Sequence, residues 1–166
     1  MDLIRIFKHL AMPDWVVRRA FPARAGEAVT AAVAAAEKAH DVELRVAVEG
    51  GLPLAPLLRG QSSRERAIDL FSQLRVWDTQ NNTGVLVYVQ FADRKIEIVA
   101  DRGISARVSQ PEWDAVCARI VEEFRAGRYE QGVRAGIDGV MALLAKHVPP
   151  PPAGDRDELP DRPTVL

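Results

Sequence analysis

Apolar and polar positions are most sharply ordered between Thr83 and Ile104. Val85, Val87, Val89 and Phe91 alternate with Leu86, Tyr88 and Gln90. Both faces of this segment are therefore largely apolar and both need cover, which predicts a central strand. Ala92, Asp93 and Arg94 form the turn into a second strand. There Ile96, Ile98 and Ala100 share one face and Lys95, Glu97 and Asp101 the other, the pattern of a half-buried strand near a sheet edge. Upstream, Val42, Leu44, Val46 and Val48 alternate with Glu43, Arg45 and Glu49, predicting another strand that Gly50 and Gly51 end.

Helical spacing fills the remaining core. An alanine-rich run from Arg24 to about His40 places Val29 and Val33 four apart. Ser62 with Glu65 is a capping box that opens a helix carrying Ala67, Ile68, Phe71 and Leu74 inward. Ser109 with Glu112 repeats the device ahead of Trp113, Val116, Cys117, Ile120, Val121 and Phe124. A last helix spans about Tyr129 to His147, with Gly132 and Gly136 leaving room for a close neighbour. The segment GLPLAPLLRGQ, broken by Pro53, Pro56 and Gly60, is expected as an irregular loop over an edge.

Two flanks differ from this core, giving a division into 1–22, 23–148 and 149–166. In the first, Leu3, Ile4, Phe7 and Leu10 form an apolar helical face with Arg5 and Lys8 turned away. Such a helix either lies on a membrane or partner, or folds back to cover the domain; the small apolar area favours the second. In the third, Pro149–Pro152 and the charged residues that follow predict a flexible tail without a core, a polyproline spacer or groove ligand.

The order helix, strand, helix, hairpin, helix, helix predicts an α/β fold: a small mixed sheet with helices on both faces and a disordered, proline-rich C-terminal tail. A right-handed crossover makes the Val42 and Val85 strands parallel, so their carboxyl ends share an edge. Ligands in such sheets bind beyond those ends, which assembles Glu49, Gly50, Gly51, Asp93 and Arg94 into one candidate pocket. Glu49 and Asp93 are the right donors for calcium or magnesium, although two carboxylates fall short of the six to eight oxygens of a tight calcium site. At the opposite edge Asn82, Asp101 and Arg102 could hold an anion or small polar ligand, with a structural ion pair as the plainer role.

With 166 residues, 48% apolar and 27% charged, the chain suits one soluble domain, and a formal net charge of -1 gives no electrostatic reason to expect nucleic acid. The lone Cys117 sits in a helical apolar stripe as a packed thiol. His9, His40 and His147 are isolated and expected as solvated or helix-terminal residues. No GxGxxG or GxxxxGK phosphate cradle occurs, and no arginine follows Cys117 at phosphatase-loop spacing. Asp155 and Asp157 form a D-x-D pair without the preceding apolar strand that a catalytic pair needs. The charged residues within the first fifteen and the lack of a run of ~20 apolar residues predict a cytoplasmic protein with no transmembrane segment.

NNTGVLVYV, ADRKIEIVADRGI, Trp113 with Phe124, and the F-x-x-G-x-Y-x-x-G spacing from Phe124 to Gly132 together resemble the TPM domain, formerly called the TPM phosphatase domain. The resemblance covers about Arg24 to His147, and the ELPDRP sequence at Glu158–Pro163 is similar to the tail of short bacterial members. It implies a three-layer α/β/α sandwich. It also implies several functions: acid phosphatase activity in a plant thylakoid relative, calcium binding without evident catalysis in others, and accessory-subunit roles. The family often has two acids before the hairpin arginine where this chain has Ala92 and Asp93, one cation ligand fewer. Asp101 and Arg102 likewise replace a glycine and an aromatic common in the family.

The resulting expectation is a non-enzymatic protein-interaction or accessory module that requires no cofactor, with weak divalent-cation binding at Glu49 and Asp93. One alternative is a metal-assisted acid phosphatase using those two carboxylates as ligands and Arg94 to hold phosphate. The other is a membrane-surface adaptor working through residues 1–20.

Overall fold

A computed structural model describes residues 2–153 and 157–166, apart from the side chains of Asp14, Tyr129 and Glu130. Among these residues are helices α1 (Leu3–Leu10), α2 (Asp14–Ala20), α3 (Ala23–Ala39), α4 (Leu54–Leu58), α5 (Ser63–Gln73), α6 (Arg102–Ser105), α7 (Gln110–Arg125) and α8 (Tyr129–His147). The strands are β1 (Glu43–Glu49), β2 (Gly84–Gln90), β3 (Lys95–Ala100) and β4 (Thr164–Val165), in the order β3-β2-β1-β4.

The sheet follows the alternation in the sequence. All seven residues of β2 are buried, β1 pairs with it in parallel, and β3 returns antiparallel to form one edge. Leu44, Val46, Val48, Val85, Val87, Val89, Ile96 and Ile98 share a core with α3, α7 and α8. Ala47, Leu86 and Tyr88 face the other way, onto Ala67 and Leu70 of α5. Phe91 stacks on Phe124 of α7 with ring centroids 5.8 Å apart, an offset contact worth about 0.5–1.5 kcal/mol beyond its area. The α7–α8 approach is as close as the glycine spacing predicts: a Cβ at Gly136 would lie 2.6 Å from Ile120 Cδ1.

Three expectations need correction. GLPLAPLLRGQ is not wholly irregular, because Pro53 at the N-cap lets a single turn form as α4. The C-terminal segment does not hang free. Leu159 is 7% exposed, its N–H donates to Glu43 Oε2 at 2.9 Å, and β4 adds a parallel strand to β1. Arg45 clamps the same segment, donating to the carbonyls of Pro160 and Arg162 and to Thr164 Oγ1. Proline and charge kept this segment from forming a core of its own, but not from pairing with an existing strand edge. The third correction concerns α1, which does pack on the domain but with its faces reversed. Arg5 and His9 point inward, while Leu3, Ile4, Phe7 and Leu10 are 66%, 83%, 73% and 57% exposed.

Candidate functional site

The carboxyl ends of β1 and β2 meet as the strand order requires. Phe91 N–H donates to Glu49 O at 3.0 Å and Ala92 N–H to Gly50 O at 2.9 Å, so the hairpin tip lies against the glycine pair. Gly51 is required here, since a Cβ would fall 2.4 Å from the His9 carbonyl oxygen. The backbone of α1 thus rests directly on the turn after β1.

His9 is the hub that sequence reasoning missed. It is 3% exposed, not solvated. Its Nδ1 accepts the Leu52 N–H at 2.9 Å, which leaves the ring proton on Nε2, and Nε2 donates to Asp93 Oδ1 at 3.0 Å. Arg5 completes the arrangement through Nη2 to Asp93 Oδ2 at 2.9 Å, with Nε at 3.2 Å from the same oxygen. Gln90 braces the turn, its Oε1 accepting the Asp93 N–H at 2.7 Å. Burial disfavours ionised Asp93, but the hydrogen bonds from Arg5 and His9 outweigh it and hold the carboxyl below its ordinary range. The Arg5 guanidinium is held above its own, chiefly by the same bond.

Glu49 has a separate set of partners. Arg66 of α5 grips it in a two-point pair, Nη2 to Oε1 at 2.7 Å and Nε to Oε2 at 3.0 Å, and Tyr88 Oη donates to Oε2 at 2.6 Å. Burial pushes the Tyr88 hydroxyl well up, and the neighbouring carboxylate adds to the effect. That phenol stays a donor at any physiological pH. The two carboxylates proposed as cation ligands therefore each carry an internal cation and further hydrogen-bond donors. Arg94 is exposed in the turn at φ 53°, and its N–H donates to Phe91 O at 3.1 Å.

At the other end of the sheet Asp101, Arg102 and Asn82 are brought together as expected, in a backbone arrangement. Asp101 Oδ1 accepts the Arg102 N–H at 2.6 Å as the N-cap of α6. Asn82, at φ 56°, accepts the Gly103 N–H through its carbonyl at 2.9 Å.

The ordered C-terminal segment creates an acidic group that no local spacing announces: Glu37, Asp157 and Asp161 place carboxylate oxygens within 4.8 Å of one another. Burial raises Glu37 to about 8 and, beside it, Glu43 to about 7. Asp155 of the D-x-D pair lies outside the described residues. Cys117 is partly buried, and burial pushes its thiol up to about 11, in keeping with a packed side chain. His40 Nδ1 lies 3.2 Å from Val148 O, and His147 Nε2 lies 2.7 Å from Glu112 Oε1 at the end of α8. Cavities of about 880 Å³ between α3 and the C-terminal segment, and of about 350 Å³ between α3 and α8, are lined by neither Glu49 nor Asp93. A smaller one of about 240 Å³, lined by Asp2, Arg5, Ile6, Leu57, Leu58 and Gly60, separates α1 from α4. Among the described residues no helix is long and apolar enough to cross a membrane.

Comparison with known proteins agrees with this fold. Residues 20–143 match the TPM domain. The solution structure of the BA42 protein from the psychrophilic bacterium Bizionia argentinensis is similar at 32% identity and a TM-score of 0.72, over 87% of this chain and 94% of that one. The N-terminal domain of a P. gingivalis protein shares the fold at 21% identity and a TM-score of 0.57, over 71% of this chain and 74% of that one. A search of curated proteins gives no match. The arrangement of sheet and helices, the extent of the domain match and the likeness to BA42 agree, and the chain belongs to the TPM domain family.

Proposed function

We propose that this TPM domain is a non-catalytic docking module that presents α1 to a partner. The observation that carries the reading is the reversed helix. Leu3, Phe7 and Leu10 fall within a sector of roughly 60° on a 3.6-residue helix, and Arg5 and His9 lie on its opposite side. Folding turns the polar side to the protein and the apolar side to water, the reverse of what core formation favours. Exposed apolar faces of this kind mark interaction surfaces. Asp93 has a clear part in the arrangement, as the anion that ties Arg5 and His9 down.

The same contacts weigh against a metal-assisted phosphatase. A divalent ion at Glu49 would have to displace Arg66 and Tyr88, and one at Asp93 would have to displace Arg5 and His9. In this reading both carboxylates are structural anions. The test is hydrolysis of p-nitrophenyl phosphate at acid pH with added calcium or magnesium. No turnover above buffer is expected; turnover abolished by Asp93→Ala or Glu49→Gln would overturn the reading. In a parallel calcium and magnesium titration, the amide resonances of residues 49–52 and 91–94 are expected to stay in place.

A further inference from the structure

We infer that the partner of α1 is an anionic lipid surface, on which the helix lies with its axis in the interface. The inference rests on the docking reading above and adds the occupant. Its first support is shape. Leu3, Ile4, Phe7 and Leu10 project from a convex helix, which a bilayer interface can take up without a matching groove. Neighbouring segments extend the apolar surface: α4, packed against α1, exposes Leu54 and Leu58 at 48% and 55%, and Trp15 at the start of α2 is 60% exposed. Tryptophan, phenylalanine and leucine are the side chains that settle at the headgroup boundary.

The second support is charge. Lys8 on α1, Arg18 and Arg19 on α2, Arg59 at the end of α4, and Arg94 and Lys95 at the hairpin tip are all exposed. The acidic residues of these segments are fewer: Asp2, Asp14 and Asp93, the last already paired with Arg5. In a chain of net charge -1, α1 and the segments beside it thus carry six exposed cations against three acidic residues. Apolar insertion combined with basic flanks is the pattern that selects anionic over zwitterionic lipid. Asp93 acts here as a positioning residue, holding α1 by its polar side so that the apolar side stays outward.

The experiment is co-sedimentation of the full chain with phosphatidylcholine vesicles, with and without phosphatidylglycerol. Binding to the anionic vesicles is expected, roughly tenfold or more weaker on phosphatidylcholine alone and weakened by salt. Phe7→Glu, at a position 73% exposed, should abolish it with the circular dichroism spectrum unchanged. Arg18→Glu with Arg19→Glu should reduce it as removal of the anionic lipid does. Failure of the wild-type chain to sediment with anionic vesicles, or equal sedimentation of Phe7→Glu, would overturn the inference. So would a concentration-dependent dimer lost in Phe7→Glu without vesicle binding, which would assign the face to a second copy. Asp93-dependent phosphatase turnover in the same preparation would instead overturn the docking reading, whereas no turnover and no sedimentation would remove only the lipid.

Discussion

His9 Nε2 donates to Asp93 Oδ1 at 3.0 Å, joining α1 to a hairpin tip 84 residues further along the chain. With Arg5 on the other carboxylate oxygen, this contact fixes a helix whose apolar side makes little claim on the core. The polar contacts must therefore supply much of its attachment.

Asp93→Asn should loosen α1 and cost about 1–3 kcal/mol, because the partly buried Arg5 loses its counter-charge. Denaturant unfolding gives the magnitude, and hydrogen exchange should show faster exchange across residues 3–10 than in β2. The folded Asp93 carboxyl is held below its ordinary value. Its contribution is therefore complete above the unfolded carboxylate pKa of about 4 and declines as pH falls below it. A thermal melt series between pH 6 and 2, using buffers of matched ionic strength, should show this acid loss flattened in Asp93→Asn.

Gly51→Ala tests the same junction sterically. A Cβ placed 2.4 Å from the His9 carbonyl oxygen must push α1 away, and a cost of about 1–3 kcal/mol is expected. Loss of the His9–Asp93 contact should appear as a changed imidazole resonance in the variant.

The Glu49 cluster should behave differently when its members are removed one by one. Tyr88→Phe removes a single donor and should cost about 0.5–1.5 kcal/mol. Arg66→Ala strands a buried carboxylate and should cost about 3–5 kcal/mol. In a double-mutant cycle with Glu49→Gln, much of the Arg66→Ala loss should disappear, because the charge needing compensation is gone. Equal losses in both backgrounds would show that Arg66 acts through packing alone.

Much of the sheet was legible because alternation is a local signal: β2 buried on both faces and β3 at the edge follow from residues a few positions apart, and the parallel β1–β2 pair follows from the hand of the crossover between them. Both capping boxes were legible for the same reason. The meeting of Gly50 with Ala92 followed from strand direction. What occupies Glu49 and Asp93 did not. Arg66 and Arg5 look like ordinary surface residues on amphipathic helices, and their roles depend on how those helices rotate against the sheet. The orientation of α1 was misjudged because apolar residues normally face inward; the one local hint was Arg5 and His9 four apart on a single side. The C-terminal segment was misjudged because composition shows that it lacks a core of its own, and says nothing about the strand edge it borrows.

That segment should make stability fall toward alkaline pH. Glu37 and Glu43 have folded values raised to about 8 and about 7. The folded state therefore holds protons that the unfolded state has released, and stability is lost as pH rises from about 4.5 through those values. Melting temperatures between pH 5 and 9 should decline, and Glu37→Gln should shallow the decline. A flat wild-type profile would show that the carboxyls ionise in place without penalty.

The pairing of β4 with β1 also shields the protein from its neighbours. Without β4, the outer side of β1 would lose its partners at Ala47 and Val48, including the Leu166 N–H that donates to Val48 O at 2.9 Å. Such an edge recruits strands from other molecules. Two residues and an arginine clamp thereby cover an edge that would otherwise be open to other chains, and shortening the chain before Leu159 would be felt first as turbidity at high concentration.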